Sequence, residues 1–225
     1  MITAIDIVKT FKNGTAETQV LKGVSLEIKS GEFVAIMGKS GAGKSTFMYQ
    51  LSLLDHPTSG QVIIDDQVVT ELTHDERTIF RLNNLGFIFQ DYALVPELTA
   101  IENVMVPLLM QGKTQDEARV IAHESLARIG VDHRENNLPS QLSGGEQQRV
   151  SIARAVAHHP KILFADEPTA NLDNISSDSV IDVFRELHKQ GQTIIMVTHE
   201  PEYTVHCDRV VYLSDGKIVD EKKLH

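Results

Sequence analysis

Gly38-Lys39-Ser40-Gly41-Ala42-Gly43-Lys44-Ser45-Thr46 matches G-x-x-x-x-G-K-[ST], the spacing of a phosphate-cradling loop. Its flanks agree. Phe33-Val34-Ala35-Ile36-Met37 is a continuous apolar run and predicts a buried strand. Phe47 to Leu54 carries apolar residues at helical spacing. Gly38, Gly41 and Gly43 let the backbone curl and turn its N–H groups inward. The helix start adds partial positive charge at the same place. Lys44 is placed to reach β- and γ-phosphates, and the Ser45 hydroxyl to ligate Mg²⁺. A glycine-rich turn without a ligand accounts for the glycines but not for the strand–loop–helix setting.

The 225 residues suffice for one large domain, or one domain with a sub-lobe. A formal net charge of −10, with no run of five like charges, argues against a nucleic-acid binder. The single cysteine, Cys207, excludes an internal disulfide, fits a reducing compartment and reads as a small, partly buried apolar residue. Met1 to Asp6 shows no targeting pattern. The longest apolar candidate, Val104 to Met110, is far short of the ~18–20 residues that span a bilayer. Any service to a membrane is therefore expected to pass through a partner.

Residues 2–8, 24–28 and 61–64 read as short strands of an antiparallel region, with turns at Lys12-Asn13-Gly14 and Ser59-Gly60. Phe11 there is either a core aromatic or a stacking platform for a base. Residues 86–90 read as a buried strand ending in Gln90. A helix over Thr99–Gln111 is expected to kink or break at Pro107. Thr114 and Glu117 form a capping box that opens a helix running towards Gly130. Residues 91–157 thus read as a helical lobe inserted in an α/β core.

Ser143 and Glu146 fit a second capping box, before a helix from Gln147 to about His158. The box leaves Gly144 and Gly145 unexplained; close approach of a phosphate to the backbone explains them. His158 and His159 are expected to face the helix C-terminal dipole. Lys161 to Glu167 is an apolar strand ending in two acids. Beside a phosphate loop, Asp166 is expected to hold Mg²⁺ and Glu167 to polarise the attacking water. A helix over about 175–189 leads to the strand 193–197 and then His199, either a structural histidine or a group reaching a γ-phosphate. Residues 209–219 read as a hairpin about Asp215-Gly216. Asp220 to His225 reads as a solvated tail.

The loop at 38–46, Gln90, Leu142-Ser143-Gly144-Gly145-Glu146, Asp166-Glu167 and His199 occur in the order of ATP-binding-cassette (ABC) ATPases, which the whole chain resembles. The resemblance implies an α/β fold: a P-loop NTPase with a RecA-like core, an N-terminal antiparallel β-subdomain and an inserted helical subdomain. Residues 1–225 would be one ABC ATPase domain, with 1–90 and 158–225 as core and β region. It implies ATP as substrate and Mg²⁺ as cofactor, with Ser45, Gln90 and Asp166 on the metal side. Phe11 would stack on adenine, and Gly38 to Thr46 would bind phosphates. Gln90 would sense the γ-phosphate and report to a transport partner. Ser143, Gly144 and Gly145 would contact the γ-phosphate bound to a second copy, and Asp173 would bridge the copies. Glu167 would be the base, with His199 holding γ-phosphate and water. Lys39 departs from the family, where Pro or a small residue is common.

Gly86-Phe87-Ile88-Phe89-Gln90 and Leu94 to Val104 resemble the branch of lipoprotein-release, macrolide-efflux and cell-division ATPases. Val131-Asp132-His133-Arg134 looks most like lipoprotein release. The branch implies a homodimer working with an integral membrane permease, docked after Gln90, at the cytoplasmic face of the membrane. A soluble repair or translation ATPase is the alternative. It is disfavoured because no coiled-coil insertion fits between Gln90 and Leu142, and because the balance is acidic. A nucleotide-gated assembly module without turnover is disfavoured by Glu167 and His199.

Overall fold

The computed structural model describes residues 1–14 and 16–224. Its first sheet is antiparallel. β1 (Ile2–Asn13) lies between β2 (Ala16–Ile28) and β4 (Ser59–Ile64), and the two-residue β5 (Gln67–Val68) closes the edge. The sequence predicted short strands here; β1 and β2 instead run as one long hairpin, with register shifts along β1.

The second sheet holds β3 (Phe33–Met37), β6 (Leu85–Ile88), β7 (Ile162–Asp166), β8 (Thr193–Val197), β9 (Arg209–Ser214) and β10 (Lys217–Lys223), in the order β10-β9-β3-β8-β7-β6. From β9 to β6 neighbouring strands are parallel, and β10 pairs antiparallel with β9. β3, β7 and β8 are buried on both faces, as parallel strands covered on both sides must be. Their alternation sorts the core in two. Phe33, Ala35 and Met37 join Leu163, Ala165, Ile194 and Met196 beneath the helices. Val34 and Ile36 join Ile162, Phe164, Ile195 and Val197 towards the antiparallel sheet.

Seven helices are described: α1 (Lys44–Leu51), α2 (His74–Asn84), α3 (Ala100–Met110), α4 (Gln115–Arg128), α5 (Gly144–Val156), α6 (Asn174–Lys189) and the single turn α7 (Pro201–Thr204). The Thr114–Glu117 box caps α4 as expected. α2 was not expected: it is polar overall and has no fully buried residue, although Thr73 and Glu76 form a capping box. Pro107 does not break α3. Ile101, Val104, Met105 and Leu108 are buried around it, and the Gln111 N–H still reaches the Pro107 carbonyl at 3.1 Å. Burial of that face outweighs the ~3 kcal/mol penalty of an interior proline.

Three further boundaries and one contact are corrected. β6 ends at Ile88, leaving Phe89 and Gln90 in the following loop. α5 begins at Gly144, so both glycines sit in its first turn. Asp220 to Lys223 are exposed as expected but continue β10, where Glu221 pairs with Arg209 at 2.7 Å; His225 lies outside the described residues. His158 Nε2 contacts the Leu85 carbonyl at 3.1 Å rather than a helix end.

Strand order reverses at β3, with β8 on one side and β9 on the other. Parallel sheets place ligands at such a reversal, beyond the carboxyl ends of the strands. Ile36, Val197 and Asp166 are level across β3, β8 and β7. The segments starting at Gly38, Thr198 and Glu167 therefore leave the sheet side by side.

Candidate functional site

The 38–46 loop is pinned on both sides. A side chain at Gly38 would place Cβ 2.2 Å from the Leu213 carbonyl oxygen, so β9 admits only glycine there. The Gly216 N–H bonds the Ala42 carbonyl at 3.1 Å. Gly43, at φ 98°, is the N-cap of α1; no side chain caps this helix and its first turn carries no acid. By contrast α2, α3, α4 and α5 have Thr/Ser–Glu boxes, and α6 has Asp173. The positive end of α1 is thus left to the loop. Lys44, 6% exposed, folds back along it: Nζ donates to the Gly38 carbonyl at 3.0 Å and the Lys39 carbonyl at 3.4 Å. Lys39, Ser40 and Gly41 are exposed, and Thr46 is half-buried.

Asp166, at the end of β7, is 6% exposed. Its Oδ1 accepts from Ser45 Oγ at 2.9 Å and its Oδ2 from the Tyr49 hydroxyl at 2.8 Å. Burial raises its pKa, and the two hydroxyl donors and Lys44 oppose the rise. Burial, reinforced by the bond to Asp166, pushes the Tyr49 phenol up to about 12, so it remains a donor. Glu167 follows at φ 45°, a left-handed conformation costly for a side-chain-bearing residue. Its N–H is held by the Val197 carbonyl at 2.9 Å. Its carboxylate lies 3.9 Å from Lys44 Nζ and 3.1 Å from His199 Nδ1. Gly38, Lys39, Ser40, Lys44, Glu167 and His199, with Met37 and Tyr212, line one open cleft of about 550 Å³. That volume suits a small-molecule ligand.

The remaining candidates do not line this cleft. Phe11 is 47% exposed with Lys9 Nζ 5.0 Å above its ring, so it is not a core aromatic. Gln90 is exposed, and its carbonyl accepts from Asn171 Nδ2 at 2.9 Å. The next loop is clamped from α5, since Arg154 donates to the Tyr92 and Ala93 carbonyls at 2.9 and 2.6 Å. Ser143 and Glu146 do form the capping box of α5. The glycines that follow have a reason within the chain. A Cβ at Gly144 would lie 2.9 Å from the Tyr92 hydroxyl, and one at Gly145 2.8 Å from Ser176 Oγ. Asp173 caps α6 through the Ser176 N–H and hydroxyl, at 3.0 and 2.9 Å. Two residues were missed by sequence reasoning. Tyr49 was findable, being four residues after Ser45 on one helix face; Arg154 left no signal.

Glu146 makes the capping box testable. The Ser143 N–H, helped by Arg134 at 2.8 Å, holds its carboxyl down to about 2 against the cost of burial. A depressed folded-state pKa stabilises fully above the ordinary value of 4.5 and is lost as pH falls towards about 2. Glu146→Gln is therefore expected to cost about 1–2 kcal/mol at neutral pH. In pH-dependent thermal unfolding, that deficit should shrink steadily below 4.5. A pH-independent deficit would show that the charge does not matter.

Ser45 and Asp166 offer hard oxygen donors side by side in a buried corner, the ligand chemistry that suits Mg²⁺. Among the described residues no three His, Cys, Asp or Glu side chains cluster to hold a metal.

A family model described as ABC transporter matches residues 21–170. The chain is 47% identical over 203 residues to the lipoprotein-releasing system ATP-binding protein LolD of Aquifex aeolicus, covering 90% of this chain and 91% of that protein. It is 46% identical over 215 residues to the macrolide export ATP-binding/permease protein MacB of Mannheimia succiniciproducens, covering 96% of this chain and 33% of that protein. A dimeric post-hydrolysis structure of the ATP-binding cassette MJ0796, bound to ADP and Pi, superposes with a TM-score of 0.94 at 41% identity, covering 100% and 99% of the two chains.

Proposed function

The chain belongs to the ABC transporter family of ATP-binding proteins, and on that premise we propose that two copies close head-to-tail around ATP and drive a separate membrane permease. The observation that carries this reading is a separation. The phosphate loop, Lys44, Glu167 and His199 share one cleft, whereas Ser143, Gly144 and Gly145 stand apart from it. Under two-fold symmetry the loop of each copy meets the Ser143–Gly145 turn of the other. The cassette MJ0796, which superposes on this chain, is itself a dimer bound to ADP and Pi.

In the closed pair, Lys44 releases the Gly38 and Lys39 carbonyls and turns to the β- and γ-phosphates. Ser45 and Asp166 would hold Mg²⁺, whose chemistry there would be to offset phosphate charge. Glu167 accepts the proton of the attacking water, and His199 fixes water and γ-phosphate in line. Phe11, exposed on β1, supplies a face for adenine. Gln90 and Asp173 sit on segments tied together by Asn171, which suits reporting between cleft and partner.

No described helix is long and apolar enough to cross a membrane. The seat of the permease is the groove lined by Leu54, Leu82, Phe87, Phe89, Val106 and Met110, with Arg81, Arg154 and His158 and no carboxylate. An apolar cytoplasmic helix of the permease carrying an acidic residue fits this lining. In this reading the assembly stands at the cytoplasmic face of the membrane and serves lipoprotein release or efflux, the two activities for which the relatives above are named. Met110 is 64% exposed at the groove rim. Met110→Glu is expected to leave intrinsic ATP hydrolysis intact and to lower hydrolysis stimulated by the co-purified permease about tenfold, the loss from truncating one good anchor. Unchanged stimulation would place the permease elsewhere.

A further inference from the structure

Tyr49 lies one helical turn beyond Ser45, so both side chains leave α1 on the same side. Together they occupy both oxygens of Asp166: Ser45 bonds Oδ1 and Tyr49 bonds Oδ2. The phenol is held in place from behind. Its ring meets Phe87 at 6.1 Å, and Phe87 stacks on Phe164 at 6.1 Å. Phe164 is two residues before Asp166 on β7 and packs in the same core cluster as Phe47, Met48 and Leu51 of α1. The donor and the carboxylate it grips are thus referenced to the same strand.

We propose that Tyr49 is a positioning residue for Asp166, fixing Oδ2 so that Oδ1 stays turned to Ser45 and the cation. The two donors are not equivalent. In the reading above, Ser45 serves both the carboxylate and the ion, so its grip on Asp166 is shared. Tyr49 bonds the other oxygen of Asp166 and carries no other assigned task. A buried carboxylate free to rotate about its Cβ–Cγ bond presents the ion with two orientations; one held at Oδ2 presents a single one. Partners that orient a metal's ligands are typically worth ~10–100-fold in metal affinity.

A competing role is purely structural: Tyr49 satisfies a buried acceptor, and its loss costs stability alone. The two are separable by Mn²⁺ titration of the full chain with a non-hydrolysable ATP analogue, followed by electron paramagnetic resonance. Tyr49→Phe keeps the ring on Phe87 and deletes only the donor. The expected result is Mn²⁺ affinity lower by about tenfold, with metal-free nucleotide affinity unchanged. Phe87→Leu, which keeps the phenol but loosens its seat, should weaken Mn²⁺ binding in the same sense. Wild-type Mn²⁺ affinity in Tyr49→Phe, with only a lowered thermal midpoint, overturns the proposal. The inference rests on the assignment of Asp166 and Ser45 to the cation, which Asp166→Asn and Ser45→Ala check separately. If those two also bind Mn²⁺ normally, the assignment itself fails; if they lose it and Tyr49→Phe does not, only the role of Tyr49 fails.

Discussion

Glu167→Gln is expected to bind Mg-ATP, to hydrolyse it about 10²–10⁴-fold more slowly than the native chain, and to accumulate as a dimer. The substitution keeps size and shape, so the neighbouring contacts at Lys44 and His199 remain available. It removes the basic oxygen that takes a proton from water. It also removes a negative charge beside the γ-phosphate, which eases closure of the pair around ATP. The backbone at φ 45° is the same strain for Gln as for Glu, so the fold is not at issue. Static light scattering with and without Mg-ATP reads the mass, and phosphate release reads turnover. Native turnover would remove Glu167 from the role of base. A variant that stays monomeric whatever nucleotide is added would count heavily against the two-copy site.

The parts of the site that were legible in the sequence are those whose signal is local. The 38–46 loop, the strand before it and the acids after Phe164 each carry their meaning within a few residues. Long-range pairings left no such trace. Arg154 and the Tyr92 carbonyl are 62 residues apart, and nothing at either position announces the other. α2 escaped because its overall polarity, with His74, Asp75, Glu76, Arg77 and Arg81 in eleven residues, hides a periodic apolar face that is in fact present. Pro107 misled because the local penalty is real, but the burial that overrides it is tertiary. Gly144 and Gly145 are subtler. The sequence suggested room for a phosphate. The structure adds that Tyr92 and Ser176 already press on both glycines, so a substitution there perturbs packing as well as any ligand. Loss of activity in such variants therefore does not by itself locate a phosphate; the charged residues of the cleft give cleaner tests.

Lys44→Ala is the cleanest of them, and nucleotide affinity and turnover should fall together. The ammonium is 6% exposed and bonded only to the loop's own carbonyls, with Glu167 at 3.9 Å, so its charge is held in place before any ligand arrives. Truncating one side of a buried, hydrogen-bonded charge pair costs about 2–5 kcal/mol, roughly 30- to 5,000-fold in affinity. Thermal shift separates this from unfolding. Ligand at 100 times its dissociation constant stabilises by about 2.7 kcal/mol, and a domain of this size gains ~2–4 °C per kcal/mol. The native chain should therefore rise by about 5–11 °C on adding ATP at that level. If affinity has dropped 100-fold, the same ATP gives Lys44→Ala only about 0.4 kcal/mol, a shift of ~1–2 °C. Without nucleotide the two midpoints should nearly coincide, because the freed Gly38 and Lys39 carbonyls border an open cleft and regain water. A full ATP-induced shift in Lys44→Ala would mean that the loop binds phosphate without its lysine, and the assignment of the cleft would fall with it.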